Sequence, residues 1–152
     1  MIKNWQFIEA KNIQESLGKL PADGKHQLEP LSSISKDKSV PYNILEDHNF
    51  LDGQPEVHRH EGDLWGGIEG EIKFIVGGEM VEPYAKEGND MEIKAKKIQN
   101  GTEVILKAGD VLFIPAGVPH AHTAVHGRAF IIKIPEREIV YLDEIPGWKG
   151  KL

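Results

Sequence analysis

The stretch EVHRHEGDLWGGIEG, Glu56 to Gly70, decides how this chain is read. It sets His58 and His60 two residues apart, follows them with Asp63, and runs into a strand-like segment interrupted by Gly66 and Gly67. Residues i and i+2 of a strand share a face, so the two imidazoles project side by side, about 6–7 Å apart along the backbone. That spacing suits convergence on one metal ion, with each ring nitrogen about 2.0–2.2 Å from it. Strict alternation puts Asp63 on the opposite face, but Gly62 permits the kink or bulge that returns it. Glu61 alternates away from both histidines and is the weaker substitute, while a solvated turn is the bland alternative for Asp63. If Asp63 turns inward, Trp65 and Gly67 follow it. Trp65 is then expected to wall a pocket, with plain core packing as its other reading, and Gly67 to leave room for an ion or substrate.

A second stretch, GDVLFIPAGVPH from Gly109 to His120, delivers a third histidine. Pro115 ends a strand, Gly117 permits an unusual turn, and Pro119 fixes the approach to His120, a rigid presentation that fits a metal ligand. His122 lies two residues on and is the candidate acid/base. His126 is read into a His126-Gly127 turn, and His26 and His48 as surface residues. The expected metal set is therefore His58, His60, Asp63 and His120.

Composition narrows the classes. The 152 residues are 39% hydrophobic and 28% charged, with 16 glycines and nine prolines spread along the chain, which fits one globular domain rich in turns. A net charge of −6 argues against nucleic acid, whose binding needs clustered positive charge. The chain has no cysteine, which removes disulfides, thiolate ligands and a cysteine nucleophile. The first residues lack the apolar run of a signal peptide, and no stretch reaches membrane-spanning length. The expectation is a cytoplasmic protein with no membrane partner.

Taken in order, Trp5 to Glu9 reads as a strand. Ile13, Leu17 and Leu20 suggest a short helix ending at Gly18. Leu31 to Ser39 (LSSISKDKS) is polar and loop-like, and Val40 to Glu46 a strand. From Glu56 onward, short strands alternate with turns. Ile72–Val76 ends at Gly77-Gly78, and Met91, Ile93 and Ala95 alternate with Glu92, Lys94 and Lys96, the period-2 signature of a half-buried strand. Asn100-Gly101 turns the chain into Glu103–Lys107, Val111–Ile114 follows, Ala129–Ile134 is a central strand, and Ile139–Leu142 closes the set. Such a series implies an all-β sandwich or barrel. The expected layout is 1–50 as N-terminal strands and a short helix packing on or extending the barrel, 51–142 as the barrel, and 143–152 as a C-terminal tail, mobile unless Trp148 anchors it.

The two motifs resemble those of the cupin superfamily. Gly53, His58, His60, Asp63 and Gly70 fall on its first motif, and Gly109, Pro115, Gly117 and His120 on its second. There are departures: the carboxylate is Asp, with two residues between it and the HxH pair, where the family has Glu with three or four between, the later family asparagine falls on Ala124, and Gly77–Gly101 is long, implying an extra β-arm. The resemblance covers about residues 50 to 134. It implies a double-stranded β-helix, the jelly-roll barrel, with a metal at one mouth, and relatives that include dioxygenases, isomerases, epimerases, decarboxylases, lyases and non-catalytic binders. Fold does not select among these.

The leading expectation is a metal-dependent enzyme acting on a small organic molecule, of dioxygenase or isomerase/lyase type, with Fe, Mn, Ni or Zn as the divalent ion. The alternative is a non-catalytic module that captures a small molecule or the metal itself. A purely structural role for the histidines is the third reading. Exposed sheet edges and the N-terminal strands lead us to expect a homodimer.

Overall fold

Two sixteen-residue strands carry the architecture. In the computed structural model, which describes residues 4–150, the elements are α1 (Ala10–Leu17), β1 (Gly24–Gln27), α2 (Leu31–Lys38), β2 (Asn43–Phe50), β3 (Glu56–His58), β4 (Glu61–Val76), β5 (Glu79–Val81), β6 (Tyr84–Lys86), β7 (Asn89–Lys94), β8 (Lys97–Gln99), β9 (Thr102–Lys107), β10 (Val111–Ile114), β11 (His120–Pro135) and a 3-10 turn at Leu142–Glu144. Strands β4 and β11 pair antiparallel along almost their whole length. The first half of β4 also pairs with β10 and its second half with β9. The second half of β11 pairs with β2, which pairs with β1, and His120 at its start meets β3, which continues to β7 and β6. Each long strand thus passes from one antiparallel sheet into the other, the double-stranded β-helix arrangement.

The corner is built where the two long strands cross. Gly70 has φ of 63° and stands so close to β11 that a Cβ there would lie 2.2 Å from the His126 carbonyl oxygen. A register shift between Thr123 and Gly127 completes the bend. Such a bulge re-aims the following residues. The barrel interior is filled by Leu45, Trp65, Ile72, Phe74, Leu106, Ile114, Ala129 and Ile131. A separate apolar cluster joins Val57, Met80, Ile93, Ala95 and Ile145, with Trp148 packed against it. Trp148 therefore anchors the C-terminal segment.

Three sequence expectations change. Trp5–Glu9 forms no strand, and Trp5 and Phe7 are exposed. Leu31–Ser39 is not a loop: Leu31 and Ser35, four apart, bury one face of α2. Tertiary partners absorb its polar groups: the Leu31 amide donates to Ser16 Oγ of α1 at 2.9 Å and Ser35 Oγ to the Tyr42 carbonyl at 2.6 Å. Ser39, left-handed at φ 55°, ends the helix. Ile139–Leu142 pairs with no strand; the Val140 amide instead donates to the Arg59 carbonyl at 2.8 Å. Among the described residues, no helix is long and apolar enough to cross a membrane.

Candidate functional site

The site grows out of register. On β3, Glu56 and His58 stand two residues apart and so share a face. Opposite them are Lys94 and Glu92 of β7, and His120 of β11 is the partner of Glu56 on the other side. On β4, Asp63 lies directly opposite Lys133 of β11. Cross-strand partners have Cβ atoms about 4.5–5.5 Å apart, so these pairings bring four potential ligands to one mouth of the barrel. His58 is 5% exposed, Asp63 1% and His120 1%.

The donor atoms form a closed ring. His58 Nε2 lies 3.4 Å from Asp63 Oδ2 and 3.7 Å from Glu56 Oε1, and His120 Nε2 lies 3.6 Å from each of the same two oxygens. Donors held about 2.1 Å from a common ion stand about 3.0–3.4 Å apart, so each of these four contacts is within a few tenths of an ångström of that range. Glu56, His58 and His120 already place all their donor atoms within 4.8 Å of one another. Asp63 falls outside that trio yet approaches both imidazoles as closely as Glu56 does, so we count it as the fourth donor.

His120 is prepared for this task. It follows the turn at Gly117, whose φ of 85° suits glycine. The Gly117 amide donates to the His58 carbonyl at 2.9 Å, tying the two motifs together. His120 Nδ1 donates to the Val118 carbonyl at 3.0 Å, which leaves Nε2 with its lone pair. That Nε2 and Asp63 Oδ2 are buried and have no hydrogen-bond partner. Two unpartnered buried atoms turned toward one point fit a divalent ion with nitrogen and oxygen ligands.

Electrostatics keeps both acids ionised. Burial works against ionisation of Glu56, but His120, Lys25 and His58 together outweigh it and hold the carboxyl well below the usual range. Asp63 is likewise opposed by burial and lowered, to about 2, by His58 and Lys133. Lys133 Nζ donates to Asp63 Oδ1 at 2.6 Å and stands 3.4 Å from His58 Nε2. Lys94 Nζ donates to Glu56 Oε2 at 2.6 Å.

Beside the ring is a cavity of about 180 Å³, lined by Lys25, Gln27, Glu92, Trp65 and Lys133 together with Glu56, His58 and Asp63. It has the volume of about six waters, at roughly 30 Å³ each. A larger concavity of about 500 Å³ around Leu51, Gly70 and Val125 contains none of the donors; the chemistry lies at the smaller one.

Several expected residues sit elsewhere. His60 does not join the ring: a bend at Arg59–His60 separates β3 from β4, and His60 lies 39% exposed with Nε2 3.4 Å from Glu61. Arg59, buried in that bend, donates to the Val140 and Asp90 carbonyls and holds it. The same bend resets the alternation and turns Asp63 inward. Trp65 is both core and wall, 2% exposed and edge-on to Phe74 and His122. Gly67 does not line the cavity; a Cβ there would lie 2.0 Å from the Lys107 carbonyl oxygen, so close backbone approach requires the glycine. His122 is buried against Phe50, Trp65 and Phe74, with Nδ1 bonded to Asp47, and does not line the cavity either. His126 lies within β11 and meets His48, Nδ1 to Nδ1, at 2.9 Å. His26 pairs with Glu46 at 2.8 Å.

Sequence reasoning missed Glu56, Lys133 and Glu92. The first was findable, because the i, i+2 rule that linked His58 to His60 applies equally to Glu56 and His58. Lys133 and Glu92 carried only the signal of polar positions in alternating strands.

Comparison with known families matches a JmjC-domain model over residues 67–138, a span that holds His120 and Lys133 but neither Glu56, His58 nor Asp63. Comparison with curated proteins gives no significant match. Among solved structures, Escherichia coli ycfD is 16% identical, covering 82% of this chain and 37% of its own, with a TM-score of 0.53. A second structure of YcfD, described as a ribosomal oxygenase from E. coli in complex with cobalt and 2-oxoglutarate, gives 15%, 82%, 35% and 0.52. A cupin protein from Bacteroides fragilis is 12% identical over 99% of this chain and 98% of its own, with a TM-score of 0.45. HppE in its Fe(II) form, at 18% identity and TM-score 0.44, covers 61% of this chain, which spans only 42% of that protein. At these identities the likeness is one of fold.

Proposed function

We propose that the chain is a cupin by its fold, that it holds a divalent ion on His58, His120, Asp63 and Glu56, and that it acts there on a small organic substrate. The observation that carries this reading is the pair of buried, unpartnered atoms, His120 Nε2 and Asp63 Oδ2, turned toward His58. Fe, Mn, Ni and Zn all accept such a nitrogen and oxygen set. When bound, the ion supplies Lewis-acid polarisation and, if it is Fe or Mn, redox chemistry with O₂.

The rest falls to the chain. The Val118 carbonyl fixes the tautomer of His120, Lys94 orients Glu56, and Lys133 keeps Asp63 ionised in the metal-free protein. Trp65 closes one wall and excludes water. The small cavity admits a molecule of few atoms, and Lys25, Gln27 and Lys133 are the groups placed to orient it. Likeness in fold to YcfD favours placing oxygenation alongside isomerase and lyase chemistry among the activities tried.

Metal analysis of protein purified without chelator tests the site, with His58→Ala and His120→Ala alongside. About one equivalent in the wild type and a trace in both variants is expected; the same trace in all three removes the reading. Oxygen uptake with catechols, thiols and keto acids, 2-oxoglutarate included, then separates oxygenation from the other chemistries. One observation favours a non-catalytic binding module: His122, the expected proton carrier, is held by Asp47 away from the cavity. Ligand-induced thermal stabilisation without turnover of any compound would establish that module.

A further inference from the structure

Lys133 stands where a cation belongs. Its Nζ is 2.6 Å from Asp63 Oδ1, 3.4 Å from His58 Nε2 and 3.9 Å from Glu61 Oε1, at the edge of the donor ring. An ion bound to His58 and Asp63 would lie within a few ångströms of this ammonium, where like charges at low dielectric repel strongly. One must yield. The ammonium ends a flexible four-carbon stem, and the Lys133 side chain is 38% exposed at the cavity, so the lysine is the group able to move.

Charge balance says where it goes. The pocket and its rim set Glu56, Glu61, Asp63 and Glu92 against Lys25, Lys86, Lys94 and Lys133, four carboxylates and four ammoniums. A divalent ion adds two positive charges to this balanced set. It also takes over Asp63, which now holds Lys133 at 2.6 Å, and the Glu56 oxygen that Lys25 approaches at 4.0 Å, while Lys94 keeps the other Glu56 oxygen. Lys25 and Lys133 line the cavity, as do the Gln27 amide and Trp65, whose indole N–H is buried and has no hydrogen-bond partner. The cavity then offers the ammoniums of Lys25 and Lys133 beside the Gln27 amide, which is a site for an oxyanion.

Resting on the metal centre proposed above, we propose that Lys133 is an internal counter-cation: entry of the divalent ion displaces it from Asp63 and passes it to an anionic oxygen of the substrate. The substrate class is a small carboxylate or other oxyanion. Metal and anion then bind with positive coupling, and by linkage each tightens the other by the same factor.

Calorimetry on the full chain, stripped of metal, tests this with Mn(II), in the presence and absence of succinate, phosphate or uncharged propionamide. In the wild type, succinate or phosphate is expected to tighten Mn(II) binding at least about fivefold, the lower end of ordinary coupling, and propionamide to leave it unchanged. Succinate acting alone points to a carboxylate, phosphate acting alone to a phosphoryl oxyanion; either supports the proposal. Lys133→Met, which keeps the stem, is expected to bind Mn(II) about tenfold more tightly and to lose the anion effect. Lys133→Arg, still charged, is expected to keep the coupling, and serves if the methionine variant folds poorly. Equal or weaker Mn(II) binding by Lys133→Met, persistence of coupling in it, or no effect of either anion on the wild type overturns the proposal. Failure of the metal centre itself reads differently: wild type and His120→Ala would then bind Mn(II) alike.

Discussion

Two clusters of buried charge sit on the same long strands, and they have opposite character. Around Arg128, which is 3% exposed, everything is met. Its guanidinium donates to Glu46 at 2.7 Å, to Glu69 at 2.9 Å and to the carbonyls of Leu17 and Lys19 at 2.7 and 2.6 Å. Glu46 also accepts from the Ala22 amide and meets His26. Around His120 the ring is left open, with Nε2 and Asp63 Oδ2 unpartnered and a cavity alongside. Both clusters are assembled by cross-strand register, Arg128 opposite Glu46 and Glu69 in one, Lys133 opposite Asp63 in the other. Register therefore does not tell structure from function; satisfaction does. A closed network clamps the N-terminal segment to the barrel, whereas an open one has capacity for a ligand.

The contrast can be broken most forcefully at the closed cluster. Arg128→Met leaves Glu46 and Glu69 without their cation, and removing one partner from a buried ion pair typically costs about 3–5 kcal/mol. Urea denaturation should show a loss of that size; a loss under about 1 kcal/mol would mean the network is not what holds the N-terminal segment. His120→Ala should act in the reverse sense. Metal affinity is expected to fall at least about 100-fold, beyond what loss of a ligand's supporting partner does, while the metal-free protein melts within a few degrees of wild type.

Acid should separate the same two regions more gently. Asp63 is lowered from its ordinary value to about 2, so its contribution is fully present above the unfolded value near 3.9 and is lost as pH falls through 2. By linkage this amounts to about 2 kcal/mol of metal-free stability between pH 4 and 2. Asp63→Asn should flatten that part of the profile; an unchanged slope would place the titrating group elsewhere. The smallest effect is expected at His60, exposed on the far side of the bend. His60→Ala should change metal affinity less than about threefold, and a loss matching that of His58→Ala would return His60 to the ring.

Much of this was legible in the sequence. The Pro115–Pro119 turn announced a rigidly held His120, and short alternating segments with glycine and proline turns announced an all-β barrel. His58 and Asp63 were readable as inward-facing, though the bend at Arg59–His60 and not a kink at Gly62 turns Asp63 in. His60 lies apart from His58 because strand alternation does not run through Arg59–His60, where a buried arginine holds a bend. The polar stretch at Leu31–Ser39 hid a helix because tertiary partners meet its polar groups, Ser16 the Leu31 amide and the Tyr42 carbonyl Ser35, which local composition does not record.

The sequence by itself determined the alternation of apolar and polar residues, the turns, and the presence of histidines and carboxylates close to one another along the chain. Only the tertiary structure decided which side of each strand is the inside of the barrel mouth. On β3 and β7 the apolar residues Val57 and Ile93 turn away from the cavity and are covered by Met80 and Ile145, while the polar residues Glu56, His58 and Glu92 face it. Period-2 alternation marks two faces but not which of them a distant segment will cover. The Ile145–Trp148 segment makes that choice, and with it places the donors indoors.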